Sequence, residues 1–231
     1  MPECLDNFPW QSLKGFGSMA PAIFKVGDYK NDFLKDGSPV QFRIIGFNHD
    51  KDRNGLLVPM TWEMVDCMPS RYSWNRNDTN QGSWPGTRLY HSMNDPEGDI
   101  YNLLPDEIVR LATPVVKLTA DTYTGENTII ESVSKFWIKS EKETFGRCFY
   151  SAPGEGHWYE YYRQEDVPWQ KKRNGMEENT MLRSPYENWA FCIVNTNGNA
   201  NRQRRQVFLW ARPGFRALIP YQSNSALRKW C

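Results

Sequence analysis

The sequence has almost no excess of charge of either sign. Its 231 residues contain 28 Lys and Arg against 27 Asp and Glu, which gives a formal net charge of +1. This balance provides no global attraction to nucleic acid or to an acidic membrane, so any basic binding site must be local. We therefore expect no nucleic acid among the partners of this protein.

Long hydrophobic runs and an N-terminal targeting signal are also missing. The hydrophobic share is 39% and the mean hydropathy is −0.70, and no run approaches the ~20 apolar residues that span a bilayer. The opening residues MPECLDNFPW lack the basic and apolar regions of a secretion signal. We therefore expect a chain that is made in a cytoplasm or is exported by some other route. A phage structural protein, which leaves its host by lysis, fits this expectation.

Sequence motifs for catalysis and metal binding are missing as well. No G-x-S-x-G, P-loop or H-E-x-x-H pattern occurs. None of the histidines has a neighbour at ligand or triad spacing; they are His49, His91 and His157. The cysteines have no C-x-x-C spacing and are predicted to be mostly reduced core thiols; they are Cys4, Cys67, Cys148, Cys192 and Cys231. We predict no catalytic residue, no metal and no cofactor.

Aromatic residues, by contrast, are abundant, at 14% with ten Trp. This composition is typical of a loop-rich fold packed through aromatic side chains. β-Branched and aromatic residues predict strands over Pro39–Asn48 and Leu56–Val65, with Pro59 placing the second near an edge or a bulge. Apolar spacing with an early Pro and an acidic first turn predicts a helix over Asn102–Ala112. Asn197-Gly198 predicts a type I′ turn between two hairpin arms, FCIV and VFLW.

The stretch NRQRRQVFLW, residues 201–210, joins arginines to an apolar end. Arg and Trp are enriched at binding hot spots because each offers a large contact area with directional polar or cation–π contacts. One interpretation is a ligand surface that contains Arg202, Arg204, Phe208 and Trp210. The other is ordinary strand packing. The same composition could hold phosphates and stack bases, but the neutral charge of the whole chain disfavours that nucleic-acid alternative.

Six segments follow one another in a recognisable order over about residues 20 to 220. They are VQFRIIGFNHD, TRLYHSMND, IYNLLPDEI, YSAPGEGHWYEYY, MLRSPYENWAFCIVNTNGNA and RPGFRALIP. In this order they resemble a domain of unknown function common in phage tail proteins and gut bacterial surface proteins. The most specific part of the resemblance is LRSP…VNTNGNAN…RPGFR. Several members of that family are variable proteins of diversity-generating retroelements, in which a reverse transcriptase rewrites adenines in a short 3′ region of the gene.

The resemblance implies a C-type-lectin-like fold of the α+β class, with short helices, a small twisted antiparallel sheet and long ordered loops. It implies a single domain over residues 1–231, with a variable ligand-display region at about residues 186–210. Randomised adenines in an AAC codon reach Arg, Phe, Leu, Ile and Ala but not Trp, Gln or Glu, so Trp189 and Trp210 are fixed or arise from other codons. The predicted ligand-binding residues are Glu187, Asn188, Trp189, Ala190, Ile193, Asn201, Arg202, Arg204, Arg205, Phe208, Leu209 and Trp210.

Two rival functions are associated with the same fold. Formylglycine-generating enzymes use paired active-site cysteines, but Cys148 and Cys192 do not match such a pair. Sugar-binding C-type lectins carry Glu-Pro-Asn or Gln-Pro-Asp together with Trp-Asn-Asp, and none of these tripeptides occurs here. The fragment from Asp50 to Gly55 lacks the distant Glu of a calcium-binding loop and is interpreted as an ordinary turn. Both functions remain alternatives.

The sequence therefore predicts a non-catalytic receptor-recognition protein, located on a virion tail or a cell surface as a phage tail protein or adhesin. Its expected partner is a protein or glycan receptor on a target cell surface. Homo-oligomerisation, for example as a trimer, would strengthen such binding through multivalency.

Overall fold

A computed structural model describes residues 1–77, 79–204, 209–210 and 214–216. Within these ranges, short helices and small antiparallel sheets confirm the predicted α+β class. The α-helices are α1 (Trp10–Gly15), α2 (Ala20–Ile23), α3 (Arg88–Asn94), α4 (Asp99–Leu103), α5 (Asp106–Leu111) and α6 (Glu141–Phe145). The strands are β1 (Tyr29–Phe33), β2 (Pro39–Phe47), β3 (Met60–Met64), β4 (Arg71–Tyr72), β5 (Val115–Asp121), β6 (Thr128–Ser134), β7 (Lys171–Arg173), β8 (Met176–Glu178), β9 (Thr180–Tyr186), β10 (Ala190–Val194), β11 (Ala200–Arg204), β12 (Leu209–Trp210) and β13 (Gly214–Arg216). Across these described ranges, no helix has both the length and the apolar character needed to cross a membrane.

The first larger sheet has the strand order β1-β2-β3-β13 and is antiparallel throughout. β2 confirms the predicted strand, and it lies with β3 in the centre of the sheet. Every side chain of β3 is buried, including Thr61 and Glu63, whose polar atoms have hydrogen-bond partners. Pro59 directly precedes β3, which lies between two strands and not at the edge of the sheet. The pairing of β2 with β3 shifts register between Ile44 and Gly46, which is a bulge or similar irregularity.

The second larger sheet has the order β11-β10-β9-β12-β4. β9 and β10 form an antiparallel hairpin, and β11 pairs with the far side of β10. The short β12 runs parallel to β9 and antiparallel to β4. Two smaller two-stranded sheets pair β5 with β6 and β7 with β8. The hairpin turn between β9 and β10 therefore lies at the start of the predicted display region.

A single cluster of buried side chains connects the two larger sheets. It contains Phe42 and Trp62 from the first sheet and Phe191 from the second. Trp74 stacks on Phe191 with ring centroids 5.1 Å apart, and its indole N–H donates to the Leu182 carbonyl. The Trp74 ring thus fills space between elements while its indole nitrogen reaches a backbone partner. The prediction of one domain over residues 1–231 extends beyond the described residues and stays a prediction.

A chain of four buried charges crosses the interior. Lys117 Nζ lies 2.7 Å from Asp50 Oδ1 and 2.8 Å from Glu143 Oε1. Arg183 extends the chain, because its Nη1 and Nη2 lie 2.5 and 2.9 Å from the two carboxylate oxygens of Glu143. Burial alone would raise the pKa of Glu143, but the guanidinium and the ammonium hold it far below its ordinary value. Two cations and two anions therefore balance in the interior.

Arg183 also holds the backbone of neighbouring elements. Its guanidinium donates to the carbonyls of Leu118 in β5 and Ile138 in the segment before α6. Each donor of this fully buried side chain therefore has an acceptor, which offsets the cost of removing the charge from water. The four-charge chain fixes β5, β9 and α6 against one another.

A second buried network surrounds Glu63 of β3. Arg43 Nη2 lies 3.0 Å from Glu63 Oε1, and Lys139 Nζ lies 2.6 Å from Glu63 Oε2. The hydroxyl of Tyr162 donates to the same carboxylate. This network connects the first sheet to the segments on either side of α6.

The predicted helix over Asn102–Ala112 is wrong in its extent, because the structure has two helices, α4 and α5, on either side of Leu104. Leu104 has an extended backbone with φ −70° and ψ 149°. It precedes Pro105, and the proline ring disfavours the helical conformation of the residue before it. The acidic first turn of α5, with Asp106 and Glu107, is confirmed.

The predicted hairpin around Asn197-Gly198 is right in position and wrong in its turn type and its second arm. A type I′ turn requires positive φ at both central residues. Gly198 has φ +80°, but Asn197 does not have a positive φ. The Asn195 N–H donates to the Asn199 carbonyl and the Gly198 N–H to the Asn195 carbonyl, so the loop is longer. The second arm is β11, whereas Leu209 and Trp210 pair with β4 and β9.

Arg183→Met tests the weight of the four-charge chain. We expect a loss of about 3–5 kcal/mol in the free energy of unfolding, because Glu143 keeps its charge and loses two buried hydrogen bonds. Urea unfolding followed by fluorescence measures this loss. Arg110→Met is the matched control, since Arg110 is 63% exposed and lies 3.8 Å from Glu107; an exposed pair contributes under about 1 kcal/mol. Equal losses in the two variants would contradict the assigned role.

Glu155 is a further buried carboxyl group. The two cations of the four-charge chain, Lys117 and Arg183, are already balanced by Asp50 and Glu143. Its Oε1 accepts from the Ala120 N–H at 2.8 Å, and its Oε2 accepts from the Ser184 hydroxyl. Burial raises the pKa of Glu155 from 4.5 to about 7, more than these hydrogen bonds lower it. The folded chain therefore holds this proton through a pH range in which the unfolded chain has released it.

Glu155→Gln tests this protonation. The contribution of the protonated carboxyl is fully present below pH 4.5 and is lost as the pH rises to about 7, so wild-type stability falls relative to the variant by on the order of 3 kcal/mol across that window. Urea unfolding of both proteins at a series of pH values measures the difference. Parallel curves between these pH values would show that Glu155 does not titrate as inferred.

Candidate ligand-binding site

The turn between β9 and β10 consists of Glu187, Asn188 and Trp189. Glu187 has φ +46°, an uncommon conformation for a residue with a side chain. Its carbonyl accepts from the side-chain amide of Asn80 at 2.9 Å and from the hydroxyl of Thr122. Both donors are buried, so the turn is held from beneath while the side chains of Glu187 and Asn188 are exposed.

An aromatic cluster surrounds this turn, formed by Tyr150, Tyr186, Trp189 and Arg202. The Tyr186 ring meets Trp189 edge to face at 5.6 Å and Tyr150 edge to face at 5.9 Å. The Arg202 guanidinium lies 4.7 Å from the Tyr150 ring centroid and 4.9 Å from that of Tyr186. All four side chains are half-buried. Such contacts limit the motion of the rings and leave part of each surface available to a ligand.

Glu141 positions the loop that carries Tyr150. Glu141 is fully buried in the first turn of α6, and its Oε2 accepts from the backbone N–H groups of Phe149, Tyr150 and Ser151 at 2.8–3.0 Å. The Ser151 hydroxyl donates to the same oxygen. One carboxylate oxygen therefore satisfies three consecutive backbone donors. Because one of these donors is the Tyr150 N–H, the hydrogen bond to buried Glu141 fixes the backbone position from which the Tyr150 ring extends.

A groove of about 680 Å³ adjoins the cluster. Its walls are residues 122–125 and 127 from the turn between β5 and β6, residues 150–153, and residues 186–188. Tyr123 is 43% exposed. Three distant parts of the sequence therefore meet in one concave surface of the size usual for small-ligand sites.

Charge in this region is limited to one acidic and one basic group among the described residues of the cluster and the groove. Hydrogen bonds from the Trp189 indole and from Tyr186 lower the pKa of Glu187, and the bond to Glu187 raises the pKa of Tyr186. The guanidinium of Arg202 makes no ion pair or hydrogen bond within the described part of the chain. Its contacts there are with the two tyrosine rings.

The structure divides the predicted ligand-binding residues into three groups. Glu187, Asn188, Trp189, Asn201 and Arg202 are exposed or half-buried. Ala190 and Ile193 are 0% and 1% exposed and belong to the core, so their assignment as ligand contacts is wrong. Arg205 and Phe208 lie outside the described residues; for Arg204, Leu209 and Trp210 the description covers only the backbone strands.

The burial of Ala190 and Ile193 follows from the position of β10. Phe191 and Ile193 pack in the main core, Cys192 and Val194 pack in a second cluster with Phe145, and all five residues of the strand are buried. Tyr123 and Tyr150 were not among the predicted ligand-binding residues, because they lie far from the predicted display region in the sequence. No local pattern in the sequence placed residues 150–163 beside β9.

A second cluster of side chains has the composition of a metal site. One ligand atom from each of His49, Asp50 and Glu143 lies within 4.8 Å of the others, beside a cavity of about 250 Å³. Lys117 Nζ already contacts both carboxylates. The His49 ring stacks on Tyr159 at 3.9 Å, and burial lowers the pKa of His49. The ammonium group therefore occupies the position of a cation in this cluster.

Among the described residues, Cys4, Cys148 and Cys192 are thiols outside any disulfide. Cys67 and Cys192 are buried, Cys148 is half-buried and Cys4 is exposed. Burial raises the pKa of Cys148 and raises that of Cys192 still more strongly. Because the thiolate is the reactive form, these environments do not favour a nucleophilic pair.

Comparison of the chain with protein-family models, curated proteins and solved structures gives no match. The resemblance to variable proteins of diversity-generating retroelements, and the C-type-lectin-like topology that it implies, therefore stay predictions.

Divalent metal ions test the assignment of Lys117 as the resident cation. We expect millimolar Ca²⁺ or Zn²⁺ to leave the thermal midpoint unchanged, because ligand binding to the folded state would otherwise raise it. Differential scanning fluorimetry with and without chelator measures the midpoint. A rise that grows with metal concentration and disappears in His49→Ala would contradict this assignment.

Proposed function

We propose that this protein is a non-catalytic recognition protein that binds its ligand at the aromatic cluster and the adjoining groove. The observation that carries this proposal is the packing of Arg202 against the rings of Tyr150 and Tyr186 next to Trp189, with all four side chains half-exposed. Aromatic and arginine side chains provide most of the binding energy at many interfaces. Here they converge on one side of a concave surface.

The separation between interior and rim supports a surface that can change without loss of the fold. The exposed side chains of Glu187 and Asn188 project from a turn whose backbone is held by Asn80 and Thr122. Substitution of exposed residues usually changes stability by less than about 0.5 kcal/mol. A diversified protein of the retroelement type needs this property in its display region.

The proposed partner is a protein or glycan receptor on a target cell surface. The proposed setting is a phage tail or a bacterial surface adhesin. The near-neutral charge of the chain argues against nucleic acid. Cys148 and Cys192 do not match the paired active-site cysteines of the formylglycine-generating alternative. Multivalent display in an oligomer would increase the apparent affinity of such a site.

Trp189→Ala tests the proposed function. The labelled full chain is screened against a random peptide library and an oligosaccharide array. We expect probes whose binding to the variant is at least about tenfold weaker than to wild type, because loss of a hot-spot ring costs ~2 kcal/mol or more. Phe33→Ala is the control, since Phe33 is an aromatic residue on β1 that is 65% exposed. Probes that lose affinity equally with both variants, or with neither, would count against recognition at this face.

A further inference from the structure

The groove has the chemistry of a site for an uncharged, hydroxyl-rich ring. Tyr123, Tyr150 and Tyr186 present aromatic surface along its walls. Beside them, the side chains of Thr124, Asn127 and Asn188 are exposed. A saccharide ring has an apolar C–H face that packs on an aromatic ring and hydroxyl groups at its edge that both donate and accept hydrogen bonds.

The polar side chains in these walls are available for such hydrogen bonds. Thr124, Asn127 and Asn188 make no side-chain hydrogen bond with another residue of the described chain. Amide and hydroxyl side chains each combine donor and acceptor atoms, as the hydroxyl groups of a sugar require. The tyrosine rings add flat contact surface with hydroxyl groups of their own.

The electrostatics of the site favour a neutral ligand over an ion. Among the described residues that line the groove, Glu187 alone carries a charge, and its carboxylate accepts a hydrogen bond from the Trp189 indole. The opposite charge nearby is Arg202, which interacts with Glu187. A charged ligand would meet both signs and would lose its own hydration, so it would gain little from this pair.

A folded protein partner is a poorer fit to the same surface. Protein interfaces cover about 800 Å² on each side and have apolar centres from which charged groups are depleted. The present surface is a concave groove whose described lining is rich in hydroxyl and amide groups. Concave sites of this kind enclose small ligands.

We infer that the groove is a binding site for a neutral oligosaccharide, and that this binding does not require calcium. This inference rests on the proposed function and specifies its ligand class. Calcium coordination takes six to eight oxygen ligands, usually with several carboxylates, whereas the described groove lining offers the one carboxylate of Glu187. Recognition is therefore assigned to ring stacking on tyrosine and to direct hydrogen bonds.

The test is binding of the full chain to immobilised neutral oligosaccharides of glucose, galactose, mannose and N-acetylglucosamine. Sialylated and uronic-acid glycans and random peptides are included as alternative probes, each with and without EDTA. We expect neutral glycans to bind equally in both conditions. Tyr123→Ala should weaken this binding about tenfold or more, whereas Phe33→Ala should leave it nearly unchanged. Asn188→Ala should also weaken neutral-glycan binding, because it removes a hydrogen-bonding side chain and not an aromatic ring.

The outcomes separate this inference from the proposed function. Binding that is sensitive to Trp189→Ala but limited to peptides or acidic glycans would overturn the saccharide assignment and leave the recognition function in place. Loss of neutral-glycan binding in EDTA would overturn calcium independence. The absence of any probe that is sensitive to Trp189→Ala would remove both proposals. The thermal midpoint of each variant is compared with that of wild type, and its change should be no larger than that of the Phe33→Ala control. If Tyr123→Ala fails to fold, Asn188→Ala provides the test of glycan binding instead.

Discussion

The buried charge chain of Asp50, Lys117, Glu143 and Arg183 is the constraint on which the rest of the structure depends. Its four groups come from distant parts of the sequence, and each is satisfied by the others or by backbone carbonyls. Such complete pairing offsets the cost of removing these charges from water. Strands β5 and β9 and helix α6 can therefore take few other relative positions, which gives a loop-rich chain a defined interior.

The candidate site uses this rigidity. Glu141 follows directly after the Ser140 cap of α6 and holds residues 149–151, and Asn80 and Thr122 hold the turn at Glu187. The rings of the aromatic cluster are thus attached to fixed backbone and not to free loops. A preorganised site loses less conformational entropy on binding. The same arrangement leaves the rim side chains open to substitution, which a variable recognition protein would need.

Sequence patterns predicted the local elements best where several neighbouring residues favour the same conformation. The β2 strand and the acidic start of α5 follow directly from β-branched residues and from Asp106 after a proline. The predicted helix is interrupted at Leu104, because Pro105 disfavours a helical backbone at the residue before it. This restriction outweighed the apolar spacing. The hairpin failed in its pairing since Asn197-Gly198 signals a turn but not which later segment returns as the partner.

The sequence alone determined the α+β class, the neutral charge and the richness in aromatic and arginine residues near the C-terminal end. Only the tertiary structure decided that Ala190 and Ile193 are core residues, because burial depends on which distant side chains pack against the faces of β10. It also brought Tyr123 and Tyr150 to the predicted display region. Contacts between residues so far apart are set by the packing of whole elements, which no local spacing in the chain records.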